Sequence, residues 1–393
     1  MLTPEEIASR YRRCMMKEVI NPIAIDKGEG AFLIDMEGKK YLDFATGFSV
    51  TAIGHCHPKV LQALKNQMSK LVHSCHYQYY VLPSIELAEK LRDIAPGALS
   101  KTFFCNSGTE AAEGAVRLTR KHTRKHELVA FYRCFHGRTM GTASLTGQSK
   151  SKRGMGPYMP GVIHVPAPYC YRCGLKQEYP GCGLACVNLM EEAVRFASSG
   201  GVAAIIVEPI MADGGVIVPP DDYLPEVARI CKGIDALLIV DEVQTGLGRT
   251  GALFAVEHWH VDPDIMVLGK ALGGGVPLGA YMATDKIAES FEFHDFSSTT
   301  GGNPLACAAG LATIDVILDE KLHENAKNMG NYLLKRLGEV KEQNSLVGDV
   351  RGKGLIVGVE LVRDNKTKAP AVKKSRIVLT KARKKGLLAT HTG

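Results

Sequence analysis

The chain has 393 residues, enough for two or three domains and a large core, and its 45% hydrophobic and 23% charged content excludes a disordered polymer. A formal charge of +7 is modest for this length, and the densest basic stretch, Lys373 to Lys385, is interrupted by Ile377-Val378-Leu379. It reads as a solvated helix face, so no nucleic-acid partner is expected. No run approaches the ~20 apolar residues of a membrane span, so no membrane partner is expected either. Glu5 and Glu6 beside Arg10, Arg12 and Arg13 fit neither a secretory signal nor an acid-poor transit peptide. The 11 cysteines are scattered apart from one cluster, and a chain this large needs no disulfide framework, which points to a reducing, cytoplasmic setting.

In chain order, Ala31–Asp35 and Lys40–Phe44 flank Glu37-Gly38 as a hairpin. Strand candidates follow at Thr102–Cys105, Leu128–Tyr132, Val202–Val207, Ala236–Val240, Ile265–Gly269 and Leu278–Met282, with a helix-period stretch from Thr109 to about His122. A long helical stretch is expected from Pro304 to about Val340, then a strand at Gly354–Leu361 and a basic helix. Fully apolar strands alternating with helices imply an α/β fold with a mostly parallel sheet covered on both faces. Catalytic groups should gather at the carboxyl ends of those strands.

Two of these runs end in chemistry. Ala236–Val240 leads into Asp241-Glu242-Val243-Gln244, and Ile265–Gly269 leads into Lys270, followed by Ala271-Leu272-Gly273-Gly274-Gly275. A lysine at the mouth of a buried strand, with glycines clearing space around it, is suited to lose its proton and attack a carbonyl carbon. If the strands are parallel, a carboxylate and an amine emerge at one edge. They can hold the two ends of a pyridine ring, the requirement of a pyridoxal phosphate enzyme.

The remaining motifs are weaker singly. Asn106-Ser107-Gly108-Thr109-Glu110-Ala111 joins a strand to a helix; its glycine and the hydroxyls of Ser107 and Thr109 suit an anion, or an ordinary helix cap. In Phe135-His136-Gly137-Arg138 the aromatic can lie on a ring and the arginine can fork onto a carboxylate, against core packing and a surface cation as the plain alternatives. Glu208, ending a buried strand before Pro209, needs a partner, and Asp213 precedes a Gly-Gly turn. Ser298–Pro304 offers hydroxyls to a phosphate or a cap to the next helix. Cys170, Cys173, Cys182 and Cys186 form the one cysteine cluster; it is compatible with a tetrahedral zinc site or with reduced thiols packed in an insertion.

In their order these motifs resemble the class III aminotransferases, the ω- and ornithine-type branch of the fold type I pyridoxal phosphate enzymes. The resemblance spans nearly the whole chain and includes Gly54-His55-Cys56-His57-Pro58, Asn106–Ala111, Phe135–Arg138, Glu208-Pro209, Asp241–Gly246, Gly248–Gly251, Lys270, Gly301–Pro304 and Arg351–Leu355. It implies a large domain over 51–300 with a seven-stranded sheet, a cysteine-rich insertion over 165–190, and a small α+β domain built from 1–50 and 301–393. It implies that Lys270 forms the imine with the cofactor and shuttles the proton, and that Asp241 keeps the pyridine nitrogen protonated. Gln244 would reach the ring hydroxyl, Val243 and Phe135 would sandwich the ring, and His136 and Glu208 would sit beside it. Ser107, Gly108 and Thr109 would hold the phosphate with Thr299 of a neighbouring subunit, so a homodimer with shared sites is implied. Arg138 would take a substrate carboxylate.

The chain departs from the family's pattern at three places. Asp213 stands where a glutamate usually pairs with a C-terminal gate arginine. Thr300 replaces an aromatic that often follows the phosphate threonine, and relatives continue past Gly393 with the closing strands of the small domain, so that domain is expected to be incomplete. The leading expectation is a ping-pong aminotransferase that moves an amino group from an ω- or α-amino acid to a 2-oxo acid. An amino-acid racemase or epimerase with the same cofactor is the alternative, and a non-catalytic cofactor-binding homologue stands behind both. Neither 4-aminobutyrate nor ornithine is favoured by any residue.

Overall fold

The computed structural model describes residues 2–16 and 19–393. Its strands are β1 (Ile25–Glu29), β2 (Phe32–Asp35), β3 (Lys40–Asp43), β4 (Lys101–Cys105), β5 (Glu127–Phe131), β6 (Val162–Val165) and β7 (Val202–Val207). There follow β8 (Leu237–Asp241), β9 (Ile265–Leu268), β10 (Gly279–Ala283), β11 (Val347–Lys353), β12 (Ile356–Leu361) and β13 (Leu387–Leu388). Seven of them form one sheet in the order β4-β10-β9-β8-β7-β5-β6.

Within that sheet β6, β5, β7, β8 and β9 pair in parallel, while β10 is antiparallel to both β9 and β4. Six strands therefore share a direction, and their carboxyl ends lie along one edge. The central strands are apolar throughout because both faces are covered: every residue of β5, β7 and β9 is buried. Helix Gly108–Thr123 lies against the sheet and buries Ala111, Ala112, Ala115, Val116 and Leu118, the three alanines allowing a close approach.

The other strands form two smaller sheets, β1-β2-β3-β13 and β11-β12. β13 pairs in parallel with β3, so residues near both ends of the chain meet in one sheet. The long helix expected after Pro304 is two helices, Pro304–Asp319 and Leu322–Gln343. They are separated by Lys321 with φ 49°, a left-handed residue that helical hydrogen bonding does not tolerate in sequence. β1, β6 and β13 are short or half-exposed, and the apolar pattern of the chain gave no sign of them.

Candidate active site

Asp241 ends β8 opposite Val267 of β9, and Lys270 follows two residues after β9 ends, so both groups emerge at one edge. Lys270 has φ 44°, a left-handed conformation that costs a non-glycine residue about 1–3 kcal/mol and is retained where surrounding structure imposes it. Its Nζ donates to Gln244 Oε1 at 2.6 Å, and Gln244 Nε2 donates to Ser49 Oγ at 3.3 Å. Burial lowers the Lys270 pKa below the usual lysine value; Asp241, Glu208 and Asp213 pull the other way, and Arg138 adds to the lowering. A depressed amine presents more of the neutral, nucleophilic form near neutrality.

Asp241 is held from two sides. Its Oδ1 accepts the Val243 N–H at 3.0 Å, and its Oδ2 lies 2.7 Å from His136 Nδ1 in a buried pair. Burial disfavours charge on His136, but Cys134 and Asp241 outweigh it and raise its pKa well above the ordinary imidazole value. Glu208, also buried, has its pKa raised to about 7 by burial, and its Oε1 accepts the Phe135 N–H at 2.8 Å. The Phe135–Arg138 loop is thus fixed to two acids of the sheet edge, one through His136 and one through Glu208.

Glycines close the site together. A Cβ on Gly108 would meet Val243 Cγ1 at 2.6 Å, and one on Gly269 would meet Gly108 N at 3.1 Å. One on Gly137, whose φ is 139°, would meet Thr109 Oγ1 at 2.4 Å. The start of helix Gly108–Thr123, Val243, the residue before Lys270 and the Phe135–Arg138 loop are therefore in mutual contact. Ser107 Oγ accepts the Glu110 N–H at 3.2 Å as the N-cap. The first N–H groups, of Gly108 and Thr109, have no acceptor within the helix and favour an anion.

The Ser298–Pro304 loop folds beside this helix start: Asn106 Nδ2 donates to Ser298 Oγ at 3.2 Å and Thr300 Oγ1 donates to Asn106 Oδ1 at 3.0 Å. Thr299, between them, is exposed. Asn303 caps the helix after Pro304 through the Ala306 N–H at 2.9 Å. Arg138 is exposed, its guanidinium stacked 4.7 Å from the Phe135 ring centroid. The Asp213 side chain is bound by Gln148, whose Nε2 donates to Oδ2 at 2.9 Å. Neither Gln148 nor Ser49 was picked out from the sequence, because an isolated polar residue in a loop carries no periodic or motif signal.

The zinc expectation is corrected. Cys170, Cys173, Cys182 and Cys186 do line one cavity of about 30 Å³, but with Pro166, Ala167, Pro168, Leu175, Leu184 and Pro220 around them. Among the described residues no three His, Cys, Asp or Glu side chains gather closely enough to hold a metal ion. Burial raises the pKa of Cys170 and pushes Cys186 up to about 11.

Residues 15–393 match the family model for class-III aminotransferases. The chain is 43% identical to an acetylornithine aminotransferase of Methanothermobacter thermautotrophicus over 91% of its length and 86% of the relative's. It is 39% identical to a leucine/methionine racemase of Thermococcus litoralis over 98% of its length and 88% of the relative's. An amine transaminase from an uncultivated Pseudomonas species, solved in a PLP-bound form, superposes with a TM-score of 0.91 at 30% identity, covering 97% of this chain and 91% of that one. The chain belongs to the class III aminotransferase family and is an enzyme of fold type I architecture. Pyridoxal 5′-phosphate is the cofactor that this membership supports, and the site fits it: a helix start cleared of side chains by Gly108 and Gly137, an acid at the sheet edge, and a lysine with a depressed pKa.

Proposed function

We propose that Lys270 is the reacting amine of a pyridoxal phosphate-dependent transamination, in which an ω- or α-amino acid gives its amino group to a 2-oxo acid by a ping-pong route. The observation that carries this reading is the placement of Lys270 and Asp241 at one sheet edge beside the Gly108–Thr109 helix start. When bound, the cofactor supplies an electron sink that makes a proton next to the substrate nitrogen labile. Ser107, Gly108 and Thr109 would hold its phosphate, Asp241 its ring nitrogen, and Val243 and Phe135 its two faces. Gln244 now takes the Lys270 amine and would turn to the ring hydroxyl.

The chain's own residues then account for the proton handling. Lys270, whose buried amine has a lowered pKa, would carry the proton between neighbouring carbons. His136 fixes the Asp241 carboxylate through Oδ2 in a buried pair. Arg138 would fork onto a substrate carboxylate. Lys270→Ala should abolish borohydride-reducible attachment of the cofactor and cut turnover by at least ~10³-fold; retention of both would end this reading.

We further infer a homodimer in a reducing cytoplasmic compartment. Phe44, Phe48, Tyr79, Tyr80, Leu82 and Phe293 are exposed on a single chain, large apolar side chains that a second copy would cover while bringing Thr299 to the phosphate. The cysteines are all free thiols. The cysteine-rich insertion and the meeting of β3 with β13 support a division into a large domain over 51–300 and a small one from 1–50 and 301–393.

A second reading, an amino-acid racemase, is favoured by one observation: the racemase relative aligns over 98% of the chain. Chiral analysis of one amino acid incubated without any 2-oxo acid separates the two. Racemisation outpacing transamination selects the second.

A further inference from the structure

We propose that Asn106 and Thr300 form a bracket that positions Thr299 for the cofactor phosphate. The proposal rests on the pyridoxal phosphate and homodimer readings above, in which Gly108 and Thr109 of one chain and Thr299 of the other share that phosphate. The residues on either side of Thr299 hang on one side-chain amide. Asn106 Nδ2 donates to Ser298 Oγ at 3.2 Å, and Asn106 Oδ1 accepts the Thr300 hydroxyl at 3.0 Å. The amide cannot turn over without loss. Glu110 Oε2, an acceptor, takes Nδ2 at 3.0 Å and the Asn106 N–H at 3.0 Å, so Oδ1 is left to face Thr300. Thr300 stands where the family pattern often has an aromatic, and here its hydroxyl closes the bracket.

The rest of the loop is fixed without any help from Thr299. Ser298 Oγ also accepts the Gly301 N–H at 3.1 Å, and Asn303 Nδ2 donates to the Thr300 carbonyl at 2.9 Å. His76 Nδ1 donates to the Gly301 carbonyl at 2.7 Å. A Cβ on Gly301 would meet Cys105 Cα at 2.6 Å, and one on Gly302, whose φ is 66°, would meet Phe104 Cβ at 2.8 Å. The loop therefore lies on the end of β4, the strand that leads into Asn106 and the Gly108 helix start.

Thr299, between two pinned neighbours, is itself exposed. A hydroxyl presented on an ordered backbone loses less freedom on binding than one carried by a loose loop. Its bond to a phosphate oxygen is charge-assisted, and so sensitive to placement. Asn106 and Thr300 thus strengthen the hold on the phosphate without touching it, as positioning residues.

The test titrates the cofactor-free enzyme with pyridoxal 5′-phosphate and with pyridoxal, follows both by absorbance, and takes the ratio of the two dissociation constants. Pyridoxal lacks only the phosphate, so a variant that merely loosens the fold weakens both and leaves the ratio unmoved. Thr299→Ala should shrink the preference for the phosphorylated compound by at least ~10-fold. Thr300→Val keeps the shape of an exposed side chain but drops its hydroxyl, and should shrink it by roughly 3- to 10-fold. Asn106→Ala should do the same. Adding Thr300→Val to Asn106→Ala should then change the ratio by less than ~2-fold, since the two act through one bracket. An unchanged ratio in Thr299→Ala or Thr300→Val, or full additivity in the double variant, overturns the proposal. Failure of both compounds to leave a borohydride-reducible adduct on wild-type Lys270 would count against the reading of Lys270 as the reacting amine, whereas an unmoved ratio counts against this proposal alone.

Discussion

The buried pair of His136 and Asp241 makes the sharpest prediction. The two are 3% and 4% exposed, and 2.7 Å separates Nδ1 from Oδ2. His136→Leu fills the space of the imidazole but leaves the buried Oδ2 without its donor, while Oδ1 keeps the Val243 N–H. Charge centres ~3.5 Å apart at an effective dielectric near 20 attract by ~5 kcal/mol, a ceiling before desolvation. Removing one partner of such a pair characteristically costs ~3–5 kcal/mol. The sign with pH follows from the direction of the shift: His136 has a pKa raised above the unfolded value of 6.5. Its contribution is therefore fully present below that value and is lost as pH rises through the raised folded value. Urea denaturation of wild-type and His136→Leu protein at pH 6 and again above pH 9 should show a large gap at pH 6 that narrows in alkali. A gap below ~1 kcal/mol at pH 6, or one of equal size at both pH values, would refute the reasoning.

Gly108→Ala places a methyl 2.6 Å from Val243 Cγ1, so spectral titration should show cofactor affinity falling by at least ~10-fold, with overpacking of ~1–3 kcal/mol to be absorbed. Glu242 is buried with its pKa raised to about 7, so its contribution to stability is complete below the unfolded value of 4.5 and fades as pH rises through about 7. Glu242→Gln keeps an oxygen for the Val256 N–H, and its denaturation midpoint should vary less between pH 5 and pH 8 than that of the wild type. Asn303→Ala removes the cap of helix Pro304–Asp319 and should cost ~1 kcal/mol in denaturant. Elemental analysis of purified protein should find zinc far below one atom per chain, and a chelator should leave the melting temperature unchanged; stoichiometric zinc would reverse the reading of the four thiols.

The sequence by itself determined those features written in local pattern. Short β-branched apolar runs such as Val202–Val207, alternating with helical stretches, point to strands covered on both faces, and they were legible to within a residue or two. The ends of two such runs announced Asp241 and Lys270, because parallel neighbours deliver their last residues to a common edge. The ordered motifs carried the family. Tertiary structure decided what depends on partners far apart along the chain. The reversal of β10 rests on its pairing between β4 and β9, and its apolar composition is the same in either direction. The split at Lys321 follows from one left-handed residue that a helical period does not reveal. His136 reaches Asp241 across 105 residues and Gln148 reaches Asp213 across 65, contacts that no spacing rule encodes. The four clustered cysteines illustrate the same limit: their spacing allows a metal, but among the described residues the tertiary structure gathers no three metal-ligating side chains, and prolines and leucines line the cavity with the thiols.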